Sequence, residues 1–222
     1  MSILVYRNAA LAGAAASTLL AAQIIEKPGS TLGFDYDPTL IPTYRALIQM
    51  TEDGLLDWSD VRAFILSEQA QVGAGYSIYQ ALCENFLDKV EQLQENRYVP
   101  DPAKGDWSLV CNDFENEILM AGGLDVAFLA VHGDGSLAFN PGGSELAPVT
   151  HVEHTAEGRV VTAGLTTLMA ARKLVVLMVG ADKAEIAPAI FHGPIDPGVP
   201  ASLLQLHGNA VFVLDEEAAA HL

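Results

Sequence analysis

The chain has 222 residues, half of them hydrophobic, and it carries 28 acidic against 11 basic side chains, for a formal net charge of −17. This length suits one sizeable α/β domain or two small ones, and the hydrophobic content predicts a full core. The charge argues against nucleic acid and anionic membrane as partners, and any anionic ligand must be held by local donors against the field of the protein.

Two cysteines, Cys83 and Cys111, are too few for a disulfide framework. They indicate buried thiols in a reducing compartment. We therefore expect a cytoplasmic protein.

The first apolar segments in chain order are SILVY and an Ala-rich run from Ala9 to Ile25. By composition, this run could be a signal-peptide core or a membrane span. Polar residues interrupt it, however, and Glu26-Lys27-Pro28-Gly29 follows it as a helix stop. The pattern predicts a strand and then an Ala-rich helix, from about Asn8 to Ile25, that packs on a sheet.

Strand-like and helix-like segments continue to alternate along the chain. The predicted pairs are STLGF with PTYRALIQMTEDG, VRAFIL with the stretch Tyr76 to Glu95, KLVVLMV with DKAEIAPAIF, and NAVFVL with DEEAAAHL. A further strand, LDVAFLAV, leads into the loop HGDGSLAFN at residues 132–140. Continuous apolar strands indicate an α/β fold: a Rossmann-like, doubly wound, mostly parallel sheet with helices on both faces. The polar stretch from Arg97 to Asp106 is predicted to be a surface connection.

Ligands of open α/β sheets bind at the carboxyl ends of the strands. The loops in that position are Asp35 to Thr39, Ser67 to Gln71, His132 to Pro141, and Gly180 to Lys183. In the third loop, Asp134 lies between two glycines. It could serve as an acid or ligand contact, or as the residue that caps a tight turn.

Histidines near this loop have two interpretations each. His132 could be an acid/base group, but a strand-end histidine bonded to the backbone is favoured. His151 and His154 have the spacing H-x-x-H, yet a metal site needs a clear third ligand. We therefore expect an ordinary surface connection at His151 and His154, with no metal and no cofactor.

The segments around these loops resemble the glucosamine-6-phosphate deaminase/isomerase family, which is related to the 6-phosphogluconolactonases. The strongest match is GPIDPGVPASLLQLHGNAVFVLDEEAA, residues 193–219, which follows the C-terminal block of the family. AGGLDVAFLAV with GDGSLAFN resembles the GGID strand and the G-x-DGH-I-AFNEP loop, and LVVLMVGADKA resembles the strand and turn that carry a lysine. The resemblance covers nearly the whole chain and implies one deaminase/isomerase-like domain over residues 1–222.

The family chemistry is an aldose–ketose type of isomerisation with loss of ammonia. One Asp–His pair opens the sugar ring, and another Asp moves a proton between C2 and C1. By resemblance, the ring-opening Asp is Asp134, but its His partner corresponds to Ser136. The enolisation base corresponds to Ser67, next to the retained Glu68, and the supporting Glu corresponds to Pro141.

The phosphate loop of the family, Gly-Ser-Thr-Pro, corresponds to Asp37-Pro38-Thr39-Leu40. Pro38 removes one backbone N–H, and Asp37 introduces a carboxylate where an anion should bind. Thr39 is retained, and Lys183 corresponds to a lysine that supports the phosphate. Because both loops converge on one phosphate in the family, we expect Asp37 and Lys183 to pair.

Two hypotheses follow. The protein is either an isomerase or hydrolase of amino-sugar metabolism with an altered catalytic set, or a non-catalytic sugar-binding or regulatory paralogue. The base, the ring-opening His and the phosphate loop are all replaced. For the classical deaminase reaction, this favours the second hypothesis, that of a non-catalytic paralogue. The predicted catalytic residue is Asp134, and the predicted ligand contacts are Tyr36, Asp37, Thr39, Ser67, Glu68, Gly133, Gly135, Ser136 and Lys183. We expect a small sugar or sugar phosphate as partner, preferably neutral or weakly anionic and bound by Asp134 and Glu68, and we leave homo-oligomerisation open.

Overall fold

The structure, a computed structural model, describes residues 1–70, 77–101, 105–143, 149–156 and 158–222. Seven strands form a sheet in which all neighbouring pairs run parallel. From edge to edge they are β1 (Ser2–Tyr6), β10 (Ala210–Asp215), β9 (Lys173–Met178), β6 (Val126–Ala130), β2 (Thr31–Phe34), β3 (Arg62–Ile65) and β5 (Arg97–Tyr98).

Helices cover both faces of this sheet. On one face lie α1 (Ala9–Glu26), α2 (Ile41–Glu52) and α3 (Ile78–Asn85), and on the other lie α4 (Trp107–Met120), α5 (Leu165–Met169) and α6 (Ala187–Phe191). Successive residues of a strand point to opposite faces of the sheet. In β6, Phe128 packs against the first group of helices, and Ala127 and Leu129 pack against the second. The predicted α/β fold, a mostly parallel sheet with helices on both faces, is confirmed.

Helix α1 packs against the sheet as predicted. Asn8 caps it by accepting the N–H of Leu11 at 3.0 Å. By length and composition α1 could cross a membrane, but its buried stripe, which includes Ala12, Ala16, Leu20 and Ile24, belongs to the core. At Gly13 an added Cβ would lie 2.9 Å from the Cβ of Pro42, so α1 and α2 approach each other closely.

A second, antiparallel sheet was not predicted. It consists of β4 (Ser67–Gln69), β8 (Gly158–Thr162) and β7 (His151–Thr155), in that order. The segment with His151 and His154, predicted as a surface connection, is therefore a strand. Likewise Arg97–Tyr98, predicted within a connection, forms edge strand β5. These strands are short or polar and lack the apolar run on which the prediction relied.

The predicted helix from Tyr76 to Glu95 is much shorter in the structure, and Tyr76 lies outside the described residues. Helix α3 ends at Asn85, and 3₁₀ turns follow. Phe86 interrupts the helix because its ring turns inward and stacks on Tyr44, with ring centroids 4.9 Å apart. Packing of this side chain has overridden the helical pattern of the sequence.

One further helix prediction was wrong, and one helix was not predicted. The predicted helix DEEAAAHL does not form, because Asp215 ends β10 and turns follow it. So short a helix would gain little after the cost of its nucleation. Conversely, α4 was missed, although Asp106 caps it by accepting the N–H groups of Ser108 and Leu109 at 3.0 and 3.2 Å.

The order of the strands reverses at β2. From β2 the chain proceeds outward through β3 to β5, then returns to β6 on the other side of β2 and continues to β9 and β10. Ligands of such sheets bind at the carboxyl ends of the strands next to the reversal. The segments that follow β2 and β6 therefore mark the expected site.

Candidate functional site

The ends of β2 and β6 are joined by a buried carboxyl group. Asp35 follows β2 directly and is 2% exposed. Its Oδ1 accepts the N–H of Tyr36 at 2.8 Å, and its Oδ2 accepts the N–H of Ala130 at 3.2 Å. Burial raises the pKa of Asp35 to about 6, although the charge of His132 and the N–H of Ala130 oppose the rise. Asp35 lies in one of the candidate loops predicted from the sequence, where no role was predicted for it; an acid directly at the end of an apolar strand was the available signal.

Asp37 is bound within its own loop and faces the loop after β6. Its Oδ1 accepts the N–H of Thr39 at 2.8 Å and the Thr39 hydroxyl at 2.5 Å, which caps the 3₁₀ turn Pro38–Leu40. Its Oδ2 lies 3.7 Å from Nδ1 of His132. Nearby, the Tyr36 hydroxyl accepts a hydrogen bond from Asn85 at 3.1 Å.

The predicted pair of Asp37 and Lys183 does not form. Lys183 is buried, and its Nζ lies 2.7 Å from Oδ2 of the adjacent Asp182. Among the residues that the structure describes, Asp37 has its ion-pair contact with His132 instead. Lys183, which by resemblance would support a phosphate, therefore forms an ion pair with the carboxylate next to it in the sequence.

Asp134 opens a tight turn in the loop after β6. Its Oδ1 accepts the N–H of Ser136 at 2.9 Å. Desolvation raises the pKa of Asp134, but hydrogen bonds from the hydroxyl and the N–H of Ser136 and the charge of His132 outweigh it, so the pKa lies below its usual value. Asp134 is therefore both a turn-capping residue and an exposed carboxylate. Gly135 has φ +79°, and a Cβ there would lie 2.7 Å from the side chain of Val199.

The same loop contains a strained segment. Ala138 and Phe139 have φ values of +43° and +58°, in the left-handed region that side chains disfavour. Buried Asn140 holds them by donating its Nδ2 to three carbonyl oxygens, including those of Ala138 at 3.1 Å and Ala163 at 2.9 Å. This bracing fixes Phe139 at the wall of a cavity. Strain of this kind, about 1–3 kcal/mol per residue, is concentrated at functional sites.

A cavity of about 440 Å³ lies beside this loop, a size that suits a small molecule. The loop after β6 and the end of β7 with its following turn form its walls. The lining residues are His132, Gly133, Asp134, Ser136, Phe139, Pro141, Glu153, His154, Thr155 and Ala156. Among the described residues, this lining contains two imidazoles and two carboxylates but no lysine or arginine. The carboxylates of this lining can accept hydrogen bonds from hydroxyl and amine groups.

The predicted ligand contacts divide into two groups. Gly133, Asp134 and Ser136 line the cavity, and Gly135 belongs to the same turn. Ser67 does not line it: its Oγ lies 2.9 Å from Oγ1 of Thr162 in the small sheet, and the residue is 1% exposed. Gln71, at the end of the second candidate loop, lies outside the described residues.

Glu68 is built into the fold. Its buried carboxylate accepts the N–H groups of Gln69, Ile78 and Tyr79 at 2.6, 3.1 and 2.9 Å, and the Ser77 hydroxyl at 2.8 Å. Three of these donors lie at the start of α3, where a carboxylate stabilises the helix. The expected contact of Glu68 with the ligand is therefore not available in this structure.

The imidazole of His151 in β7 lies near a carboxylate. Nε2 of His151 is 3.6 Å from Oε2 of Glu153. Within the described part of the chain, no cluster of three or more His, Cys, Asp or Glu side chains could hold a metal ion.

A parallel α/β fold with a small cavity next to the reversal of strand order is typical of proteins that bind a small molecule. A family model described as glucosamine-6-phosphate isomerases/6-phosphogluconolactonase matches residues 38–213. The chain belongs to this family of carbohydrate metabolism, and the resemblance noted from the sequence is confirmed.

Curated relatives and solved structures agree with this assignment. The chain is 30% identical to the glucosamine-6-phosphate deaminase of Halothermothrix orenii, over 100% of both chains, and 30% identical to that of Clostridioides difficile, over 93% of this chain and 91% of the relative. A monomeric glucosamine-6-phosphate deaminase superimposes with a TM-score of 0.94 at 23% identity, over 100% of both chains. The 6-phosphogluconolactonase of Trypanosoma brucei gives 0.85 at 22%, over 100% of this chain and 98% of its own. These similarities confirm the fold.

Proposed function

We propose that this protein binds a neutral or weakly anionic sugar, such as a hexosamine, in the cavity beside Asp134. We further propose that it does not perform the deaminase reaction for which its relatives are named. It acts in cytoplasmic amino-sugar metabolism as a sugar-binding or regulatory member of the family. The observation that carries the proposal is the composition of the cavity wall, which presents Asp134, Glu153, His132 and His154 but no lysine or arginine among the described residues.

The positions that correspond to the proton-transfer groups of the family support the absence of deaminase turnover. Ser67, at the position of the enolisation base, has no useful pKa and is bonded to Thr162. Ser136, at the position of the ring-opening His, supports Asp134 from its backbone N–H. Loss of an essential general base typically lowers the rate about 10²- to 10⁴-fold.

The position of the phosphate loop supports a neutral ligand. Asp37 places a carboxylate there, Pro38 has no N–H, and Lys183 is paired with Asp182. A phosphate dianion 4–5 Å from a carboxylate would meet a repulsion of several kcal/mol, on the order of that expected at an effective dielectric constant of about 20. Hydroxyl and amine groups meet no such repulsion and find acceptors in the carboxylates of the wall.

Ammonia release from glucosamine 6-phosphate tests the catalytic half of this proposal. The Clostridioides difficile relative, assayed in parallel, is the positive control. We expect the present protein to release ammonia at least about 10²-fold more slowly than a typical enzyme turnover of about 10 s⁻¹. A rate within about tenfold of that turnover would show that another residue replaces Ser67 as base, and would overturn the proposal.

A further inference from the structure

We propose that Phe139 is a stacking platform for the sugar, and that the cavity therefore selects a pyranose whose hydroxyl and amine groups are all equatorial. Such a ring, β-D-glucopyranose or its 2-amino derivative, has flat faces of C–H groups and a rim of polar groups. This inference rests on the proposed sugar site and names the configuration of the sugar that the site takes.

Phe139 is an aromatic side chain that the core does not use. All eight phenylalanines of the chain lie in the described ranges. The other seven are buried in the two large hydrophobic clusters and contact another aromatic ring. Phe139 is half-buried and lines the cavity, and it contacts no aromatic ring among the described residues. Its apolar surface is therefore available to a ligand.

The backbone holds Phe139 in a conformation that a large side chain disfavours. Its φ is +58°, and that of the preceding Ala138 is +43°. The side-chain amide of Asn140 fixes this turn by donating to the carbonyl oxygens of Leu137, Ala138 and Ala163 at 3.0, 3.1 and 2.9 Å. Glycine would adopt the same φ without a steric cost. The strain therefore points to a role of the phenyl ring in the cavity.

The rest of the cavity wall offers partners for the rim of a sugar. It includes the carboxylates of Asp134 and Glu153 and the imidazole of His154. Carboxylates accept hydrogen bonds from equatorial hydroxyl groups, and a protonated amine at C2 would add a charge-assisted hydrogen bond. A wall with one phenyl group among polar side chains suits a ligand that is apolar on its face and polar at its edge.

Stacking on Phe139 sets the configuration of the sugar. In the chair form of β-D-glucopyranose, the axial hydrogens at C1, C3 and C5 share one face, whereas only those at C2 and C4 share the other. The first face is the larger apolar surface, and its C–H groups carry the partial positive charge that the negative face of an aromatic ring attracts. An axial oxygen on this face would hold the sugar off the ring and lose its hydrogen bonds to water. D-Allose, the C3 epimer of glucose, carries such an oxygen.

Calorimetric binding of D-glucose and D-allose, with D-glucosamine measured alongside, tests the inference. We expect glucose to bind about three- to tenfold more tightly than allose, the range that one aromatic contact supplies. Phe139→Ala should weaken the binding of glucose and glucosamine by the same factor and remove the preference for glucose over allose. The control is Leu206→Ala, because Leu206 is 65% exposed and lies outside the cavity lining. This variant should bind all three sugars as the wild type does.

Two further variants separate stacking from an effect on folding. Phe139→Gly relieves the strained backbone, so its urea midpoint should be no lower than that of Phe139→Ala, while its affinity for glucose is equally weak. Phe139→Trp keeps an aromatic face and should keep the preference for glucose. Both native tryptophans, Trp58 and Trp107, lie outside the cavity lining. Glucosamine should therefore change the emission of the Phe139→Trp variant much more than that of the wild type.

The outcomes separate the two proposals. Sugar binding with equal affinity for glucose and allose overturns the stacking platform and leaves the proposed sugar site standing. Wild-type affinity in folded Phe139→Gly, or an equal loss in the Leu206 variant, has the same consequence. Absence of binding of all three sugars to the wild type overturns both proposals.

Discussion

Two loops that follow strands of the large sheet carry the polar residues predicted to lie at the catalytic positions of the family, and the structure uses them differently. At residues 67–69, Ser67 is bonded to Thr162, and the buried carboxylate of Glu68 accepts four hydrogen bonds. At residues 132–136, Asp134 is exposed and both it and His132 line the cavity. The first segment has become part of the scaffold, whereas the second still faces a space that a ligand can fill.

This difference shows why residue identity alone is a poor guide to function in a diverged family member. A retained acid such as Glu68 is available to a ligand only if its acceptor positions are not already filled. Asp134 also caps a turn through one oxygen, but its exposure leaves the carboxylate accessible. Glu68 is a structural carboxylate because internal donors fill its acceptor positions. Asp134 is a candidate binding carboxylate because it keeps acceptor positions open.

The largest expected effect is on stability at Glu68. Glu68→Ala leaves three backbone N–H groups and the partly buried Ser77 hydroxyl without their acceptor, and we expect a loss of about 3–5 kcal/mol in the free energy of unfolding. Asp134→Ala is the matched variant; it should cost about 1 kcal/mol and lower affinity for glucosamine. Urea denaturation at pH 7 measures both, and equal losses would contradict the contrast between the two segments.

Asp35→Asn should change the pH dependence of stability. The native state holds the Asp35 proton up to about pH 6, whereas the unfolded chain releases it near pH 4. Between about pH 4 and pH 6, the contribution of Asp35 to the free energy of unfolding therefore falls as pH rises. Above about pH 6, the buried carboxylate is ionised and lowers the stability of the native state. Relative to wild type, the variant should be more stable at pH 8 than at pH 4 by about 2 kcal/mol. Denaturation at the two pH values checks this, and a pH-independent difference would contradict it.

The smallest expected effect is that of Ser67→Ala. It removes one hydrogen bond to Thr162, whose hydroxyl still donates to the carbonyl oxygen of Ala138. We expect a loss of about 1 kcal/mol in stability and no change in the calorimetric affinity for glucosamine. A large fall in affinity in the folded variant would show that Ser67 contacts the ligand after all.

Much of the large sheet was predictable because its central strands are buried on both faces. Strands such as β6 and β9 are continuous apolar runs, and such runs stand out in a sequence. The small sheet was not predictable in this way, since β4 and β7 owe their conformation to pairing with β8 and carry mixed residues. Helix α4 could have been found, because Asp106 is an ordinary N-cap before an amphipathic segment.

The site was predictable in location but less so in its details. The loop after β6 was identified, and the turn at Asp134 follows from its flanking glycines. The contact between His132 and Asp37 joins residues that are far apart in the sequence, and only the parallel pairing of β2 and β6 reveals it. The burial of Glu68 also depends on the start of α3, which was predicted at Tyr76 and lies at Ile78, but the sequence does not show that this helix start packs against Glu68.

The most direct test of the account is a calorimetric comparison of glucosamine with glucosamine 6-phosphate. We expect glucosamine to bind at least about as tightly as its 6-phosphate, because Asp37 and the Lys183–Asp182 pair remove the anion site. Lys183→Ala should leave the glucosamine affinity unchanged. Clearly tighter binding of the 6-phosphate, weakened by Lys183→Ala, would show that the anion site of the family survives and would contradict the account.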